Sequence, residues 1–178
     1  MEQRLSKEQL ELCHLLSLAL HGKKAGPPDP DVDYSRVVAI AQKHQVTPLL
    51  HPVLEEMELP ESVWNIIDLR GEQAVRQSYR LLMLSRYVIR LLQKHDIDAI
   101  LLKGSGTAAW YPVPELRKSG DVDLLLKDET EAHRALEILN EKGFQTTGNQ
   151  LAHHHIVCES PDRISIELHM SLSEPFDS

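Results

Sequence analysis

The chain has 178 residues, 42% hydrophobic and 26% charged, which gives room for one domain or a small core with a helical appendage. Its net charge of −8 argues against a surface that coats nucleic acid generally, though a local basic groove stays compatible with it. Cys13 and Cys158 lie far apart without metal-ligand spacing, so a disulfide framework is excluded and both read as buried thiols.

Aromatics make up only 4%, so the core must rest on Leu, Ile, Val and Ala. The first residues lack the basic-then-apolar pattern of a signal peptide, and no apolar run approaches the ~20 residues needed to span a bilayer. A cytoplasmic setting is the expectation. In chain order, Ser6 and Gln9 have capping-box spacing, and Leu10, Cys13, Leu16 and Leu20 give a helical stripe ending near Gly22. Gly26 to Asp31 is a proline-rich loop. Asp33 caps a helix carrying Val37, Val38, Ile40 and Ala41, and Thr47-Pro48 fits an N-cap followed by proline at the first helical position. Pro60-Glu61 opens a long helix to about His95, with Gly71 as its point of interruption.

From there the pattern alternates. Ile97 to Leu102 is a short β-run ending at a Gly-rich turn, Thr107 to Trp110 a short helix, and Val122 to Leu126 a second strand. Asp128 caps a helix that buries Ala132, Ala135, Leu136 and Leu139 and ends at Gly143. Phe144 to Thr147, His154 to Glu159 and Arg163 to Met170 read as strands; in the last, Ile164, Ile166 and Leu168 face the core while Glu167 and His169 share the other face. The expectation is an α+β fold: a helical region over residues 1–95, then a small mixed-sheet core over 96–178.

Asp121 and Asp123 stand two apart in an apolar strand, so both carboxylates project from one face. Side by side they repel, and a strand accepts the pair most readily with a divalent cation between them. Hard oxygen ligands suit Mg²⁺, which prefers a few carboxylates together with substrate phosphates. The turn Lys103-Gly104-Ser105-Gly106 just upstream offers a place for phosphates. Glu167, on a neighbouring strand and facing away from the core, is the best third carboxylate. Metal-assisted phosphoryl or nucleotidyl transfer is the chemistry this arrangement suits. The ordinary alternative is a set of solvated strand acids.

The string Leu-Leu-Lys-Gly-Ser-Gly-Thr-Ala-Ala-Trp-Tyr-Pro, then Leu-Arg-Lys-Ser-Gly-Asp-Val-Asp-Leu-Leu and later Glu-Leu-His, resembles the polymerase-β-like nucleotidyltransferases, and in particular their bacterial "uncharacterised nucleotidyltransferase" family. The resemblance covers about Ile97 to Leu172. It implies that Asp121, Asp123 and Glu167 are metal ligands and catalytic acids. It also implies that Gly104 and Ser105 bind a triphosphate through backbone N–H groups and a hydroxyl. The resemblance is to longer proteins with helices after the Glu-Leu-His strand, so the expectation is either a truncated chain that lacks part of the acceptor-binding surface or a minimal form.

Around these residues, Lys103 and Arg117 are the expected phosphate partners, Arg as a fork and Lys as a compact charge. Ser119 either donates to phosphate or bridges the turn. Of His153, His154 and His155, at most the first and third converge, and they read as strand residues. His169 is the candidate for acid/base work or acceptor contact. Arg76, Arg80, Arg86, Arg90 and Lys94 share a ~120° arc of the long helix with Met83 and Tyr87, which reads first as a solvated face and otherwise as a nucleic-acid track. The expected activity is transfer of a nucleoside monophosphate from an NTP such as ATP to an acceptor hydroxyl, with Mg²⁺ or Mn²⁺. The acceptor is RNA, protein, a sugar or a small molecule. The competing readings are a non-catalytic nucleotide-binding module and a toxin-like tRNA modifier.

Overall fold

The computed structural model describes residues 4–146 and 155–172, the side chain of Ser105 excepted. It is a mixture of helix and sheet, the expected α+β class, and the chain divides into two compact units.

The first unit is Met1–Ser78 with Ala108–Lys118. It holds α1 (Lys7–Leu20), α2 (Tyr34–Lys43), a 3-10 turn (Thr47–Leu50), α3 (His51–Leu54) and the start of α4 (Glu61–Gln93). The capping box forms as expected: the Gln9 N–H donates to Ser6 Oγ at 3.3 Å and the Ser6 N–H to Gln9 Oε1 at 2.8 Å. The buried stripe of α1 differs from the expected one. Leu12 and Leu15 enter the core, whereas Leu10 and Leu20 are 55% and 53% exposed and Cys13 is an exposed thiol. Leucines occupy two adjoining faces of this helix, and packing against α2 selects between them. Leu12 and Leu15 join Val37, Val38, Ala41, Leu50, Leu54 and Ile67 in one core, where each buried aliphatic side chain contributes about 1.5–3 kcal/mol.

Two further expectations are corrected here. Thr47 is not an N-cap: Val46 holds that position without a side-chain bond, and Thr47 Oγ1 is buried with no hydrogen-bond partner. Gly71 does not interrupt α4, which runs unbroken for 33 residues. A helical glycine costs about 1 kcal/mol relative to alanine, and the buried residues on either side of it outweigh that. A second 3-10 turn covers Pro114–Leu116.

The second unit is Tyr79–Thr107 with Ser119–Ser178. It takes in residues 79–95, assigned by sequence to the helical region, because Leu81, Val88, Leu91 and Leu92 of α4 share a core with the strands. The strands are β1 (Ile100–Leu101), β2 (Asp121–Leu125), β3 (Gln145–Thr146), β4 (His155–Glu159) and β5 (Ser165–His169), ordered β1-β2-β5-β4-β3. Among the described residues, β2 and β5 pair in parallel and the other pairs are antiparallel. Between β2 and β3 runs α6 (Glu129–Glu141), capped by Asp128, whose carboxylate accepts from the Glu131 N–H at 2.9 Å. Its buried Ala132, Ala135, Leu136 and Leu139 are the four expected, and Gly143 follows at φ +86°. They pack with Val122, Leu124, Ile156, Cys158, Ile164, Ile166 and Leu168 on one face of the sheet.

β1 is shorter than its expected run: the Ile97 N–H donates to the Leu92 carbonyl at 3.1 Å and so closes the end of α4 instead of entering the sheet. The helix after the turn, α5 (Ser105–Ala108), starts earlier than expected. Thr147, His153 and His154 lie outside the described residues. Among those described, no helix is long and apolar enough to cross a membrane.

Candidate functional site

Parallel pairing sets Asp123 opposite Glu167 and Leu125 opposite His169. With side chains alternating along each strand, Val122, Leu124, Ile166 and Leu168 face the core, and Asp123, Glu167 and His169 emerge together on the other face. One ligand atom from each of these three lies within 4.8 Å of the others. His169 Nε2 stands 3.0 Å from Asp123 Oδ1 and 3.2 Å from Glu167 Oε2.

Asp123 is the residue the sequence least prepares for. It is 1% exposed, and a carboxylate so buried costs several kcal/mol unless charges and hydrogen bonds offset it. The offset is one-sided. Lys103 Nζ donates to Oδ1 at 3.2 Å and the His169 ring meets the same oxygen, while Oδ2 is buried with no hydrogen-bond partner. Half of a buried carboxylate is therefore bare. The two carboxylates and the imidazole together form a donor set suited to a divalent cation. Lys103 responds to the same charges. Its ammonium is held above the usual lysine range, first by the hydrogen bond and attraction of Asp123, then by Glu167 and Asp121.

Asp121, two residues earlier on β2, does not join the three-residue group. Its backbone carbonyl instead lines the turn: a Cβ added to Gly104 would stand 3.3 Å from that oxygen and 3.5 Å from Ser119 Oγ. Gly104 itself has φ +58°, in the left-handed region that only glycine enters without strain. The turn is closed by the Gly106 N–H donating to the Lys103 carbonyl at 3.0 Å and by Thr107 Oγ1 donating to the Gly104 carbonyl at 3.3 Å. The hydroxyl of Ser105 lies outside what the structure describes. Ser119 borders the turn through its side chain.

Arg117 belongs to the first unit, where it follows the Pro114–Leu116 turn with its guanidinium 5.7 Å from the centroid of the Tyr111 ring. On the second unit, His155 pairs with His169 in register, and their rings lie 5.3 Å apart at 38°. His155 thus reaches the site's edge, as the alternation along β4 allows. The direct Lys103–Asp123 ion pair had no signal in the sequence, since it depends on β1 and β2 being neighbours. Of the basic arc on α4, Arg86, Arg90 and Lys94 line a cleft of about 600 Å³ together with Lys142, Met83 and Tyr87. Arg80 donates to the Asp162 carbonyl at 3.1 Å.

Comparison with curated proteins and with solved structures finds no match for the chain. The family model described as "Uncharacterised nucleotidyltransferase" matches residues 30–177. That span takes in the turn at Gly104, the Asp121 and Asp123 strand and the Glu167-His169 strand. The chain therefore belongs to the uncharacterised nucleotidyltransferase family and is a transferase enzyme of the nucleotidyl-transfer class.

Proposed function

We propose that the protein moves a nucleoside monophosphate from an NTP to an acceptor hydroxyl, with a divalent cation, Mg²⁺ or Mn²⁺, at the β2–β5 acids. The observation that carries the proposal is Asp123: buried, facing Glu167 across the parallel pair, and with one carboxylate oxygen bare. In this reading Asp123, Glu167 and Asp121 hold metal. A bound divalent ion supplies Lewis acidity toward the acceptor hydroxyl and neutralises charge on the departing pyrophosphate.

The chain's own groups do the positioning. The Gly104 turn, lacking a Cβ, lets phosphate oxygens approach its backbone closely, and Ser119 adds a hydroxyl there; Ser105 enters on its sequence position alone. Lys103 exchanges its hold on Asp123 for the triphosphate, since its side chain is 65% exposed and its stem is flexible. Arg117 enters on its sequence position alone, as a bidentate phosphate ligand. The acceptor is unspecified, and a cytoplasmic setting is part of the same proposal.

Calorimetry with ATP and the other NTPs, with and without divalent metal, tests it. Binding that needs metal and is lost in Asp123→Asn supports the reading. Metal-independent binding that survives Asp123→Asn places the nucleotide elsewhere and refutes it.

A further inference from the structure

We infer that His169 is itself a ligand of the bound cation, and that the site therefore selects a first-row transition ion such as Mn²⁺ over Mg²⁺. This rests on the reading of the β2–β5 acids as the metal site and adds to it a donor atom and a metal class.

Neighbouring ligand atoms on an octahedral ion with bonds of ~2.1 Å stand ~3.0 Å apart. His169 Nε2 lies 3.0 Å from Asp123 Oδ1 and 3.2 Å from Glu167 Oε2, so the nitrogen stands at ligand-to-ligand spacing from each, and all three donors lie within 4.8 Å of one another. Hydrogen bonding alone accounts poorly for the same contacts. A ring nitrogen carries at most one proton, and a proton directed at one carboxylate leaves the other facing nitrogen without a bond of good geometry. A cation in front of all three atoms satisfies each of them. The position is also well held. The His169 side chain is 14% exposed, the His169 carbonyl accepts from the Leu126 N–H at 2.9 Å, and the residue is in register with both Leu125 and His155. Asp123 Oδ2, buried and without a hydrogen-bond partner, adds a further bare oxygen beside the group.

The donor set then decides the metal. Mg²⁺ favours oxygen ligands and water and dehydrates reluctantly, whereas imidazole suits Fe, Ni, Cu and Zn; Mn²⁺, the weakest binder of that first-row series, also takes carboxylates and is its EPR-visible member. A histidine engaged as a ligand through Nε2 is not available to move the acceptor's proton with that atom, so this assignment replaces the acid/base role expected from sequence.

The experiment uses the full chain without nucleotide. Mn²⁺ binding is followed by loss of the free-ion EPR signal, Mg²⁺ by competition, and the bound Mn²⁺ is examined by pulsed EPR for directly coordinated nitrogen. The expected result is nitrogen coupling, with Mn²⁺ bound about tenfold or more tightly than Mg²⁺. His169→Gln, which offers an amide oxygen near the same place, should erase the coupling and bring the two affinities within about threefold. Asp123→Asn should lose both ions. Asp123-dependent Mn²⁺ binding without nitrogen coupling in the parent chain overturns the role of His169 and leaves the proposed site standing. Mn²⁺ binding indifferent to Asp123→Asn, or none at all, overturns both. The coupling is read on the unaltered chain, so a misfolded variant does not obscure the outcome.

Discussion

Replacing Gly104 by alanine tests the turn beside the acids with a single methyl group. Two costs can be read from the structure. At φ +58° an L side chain meets its own backbone, a strain of roughly 1–2 kcal/mol. The added Cβ would also stand 3.3 Å from the Asp121 carbonyl oxygen, closer than comfortable contact, and 3.5 Å from Ser119 Oγ. The carbonyl cannot retreat without moving β2, so this contact adds a few tenths of a kcal/mol and displaces the acids. The sum is about 1–2 kcal/mol for Gly104→Ala. Asparagine tolerates this backbone region better than alanine and should cost less at φ; valine, with its branched Cβ, should cost more. Urea denaturation at constant m-value gives the stabilities, and NTP titration on the same samples gives affinity. The expected series is Gly, Asn, Ala, Val in order of falling stability, with nucleotide binding lost in Val while circular dichroism still reports the native helix content. Alanine tolerated within about 0.3 kcal/mol would refute the strain argument. Intact affinity in Gly104→Val would remove the turn as a phosphate cradle.

Glu167→Gln should keep NTP binding within about tenfold, ~1.4 kcal/mol, yet slow transfer a hundredfold or more, ~2.7 kcal/mol, because its part is exercised mainly in the transition state; transfer at the parental rate would demote it to a solvated strand residue. Burial pushes the Cys158 thiol up from 9.0 to about 11, so the fold holds it neutral while the unfolded chain ionises it. Stability from this source is intact below about pH 8.5 and falls as pH rises through 9 to 11, by about 3 kcal/mol at most. Denaturation midpoints against pH should show that decline in the parent and a shallower one in Cys158→Ala; equal slopes would contradict it. Ser6→Ala removes one half of the capping box and should cost about 1 kcal/mol, read as a lowered urea midpoint, whereas an unmoved midpoint would mean that α1 is held by packing alone.

Legibility followed the range of the interactions concerned. The caps at Ser6, Asp33 and Asp128 bond within three residues, and each appears where the sequence placed it. Strand alternation put Ile164, Ile166 and Leu168 in the core and Glu167 and His169 opposite, because a period of two leaves no other choice. The failures needed a partner from elsewhere in the chain. Which leucine stripe of α1 is buried depends on α2, and the exposure of Cys13 follows from that choice. The burial of Asp123, its ion pair with Lys103 and the separation of Asp121 from the three-residue group depend on β1 and β5 flanking β2. A sequence can state that two aspartates share a strand face; it takes the neighbouring strands to make one of them a buried, half-satisfied carboxylate.

The most direct test of nucleotidyl transfer distinguishes which phosphorus moves. The full chain is incubated with cell extract and divalent metal, using NTP labelled in parallel at the α and the γ phosphate. Label should enter a macromolecular or small-molecule acceptor from the α position only, with release of pyrophosphate, and should disappear in Asp121→Asn/Asp123→Asn. Transfer of the γ label, or α labelling that persists in the double variant, would contradict nucleotidyl transfer at these acids.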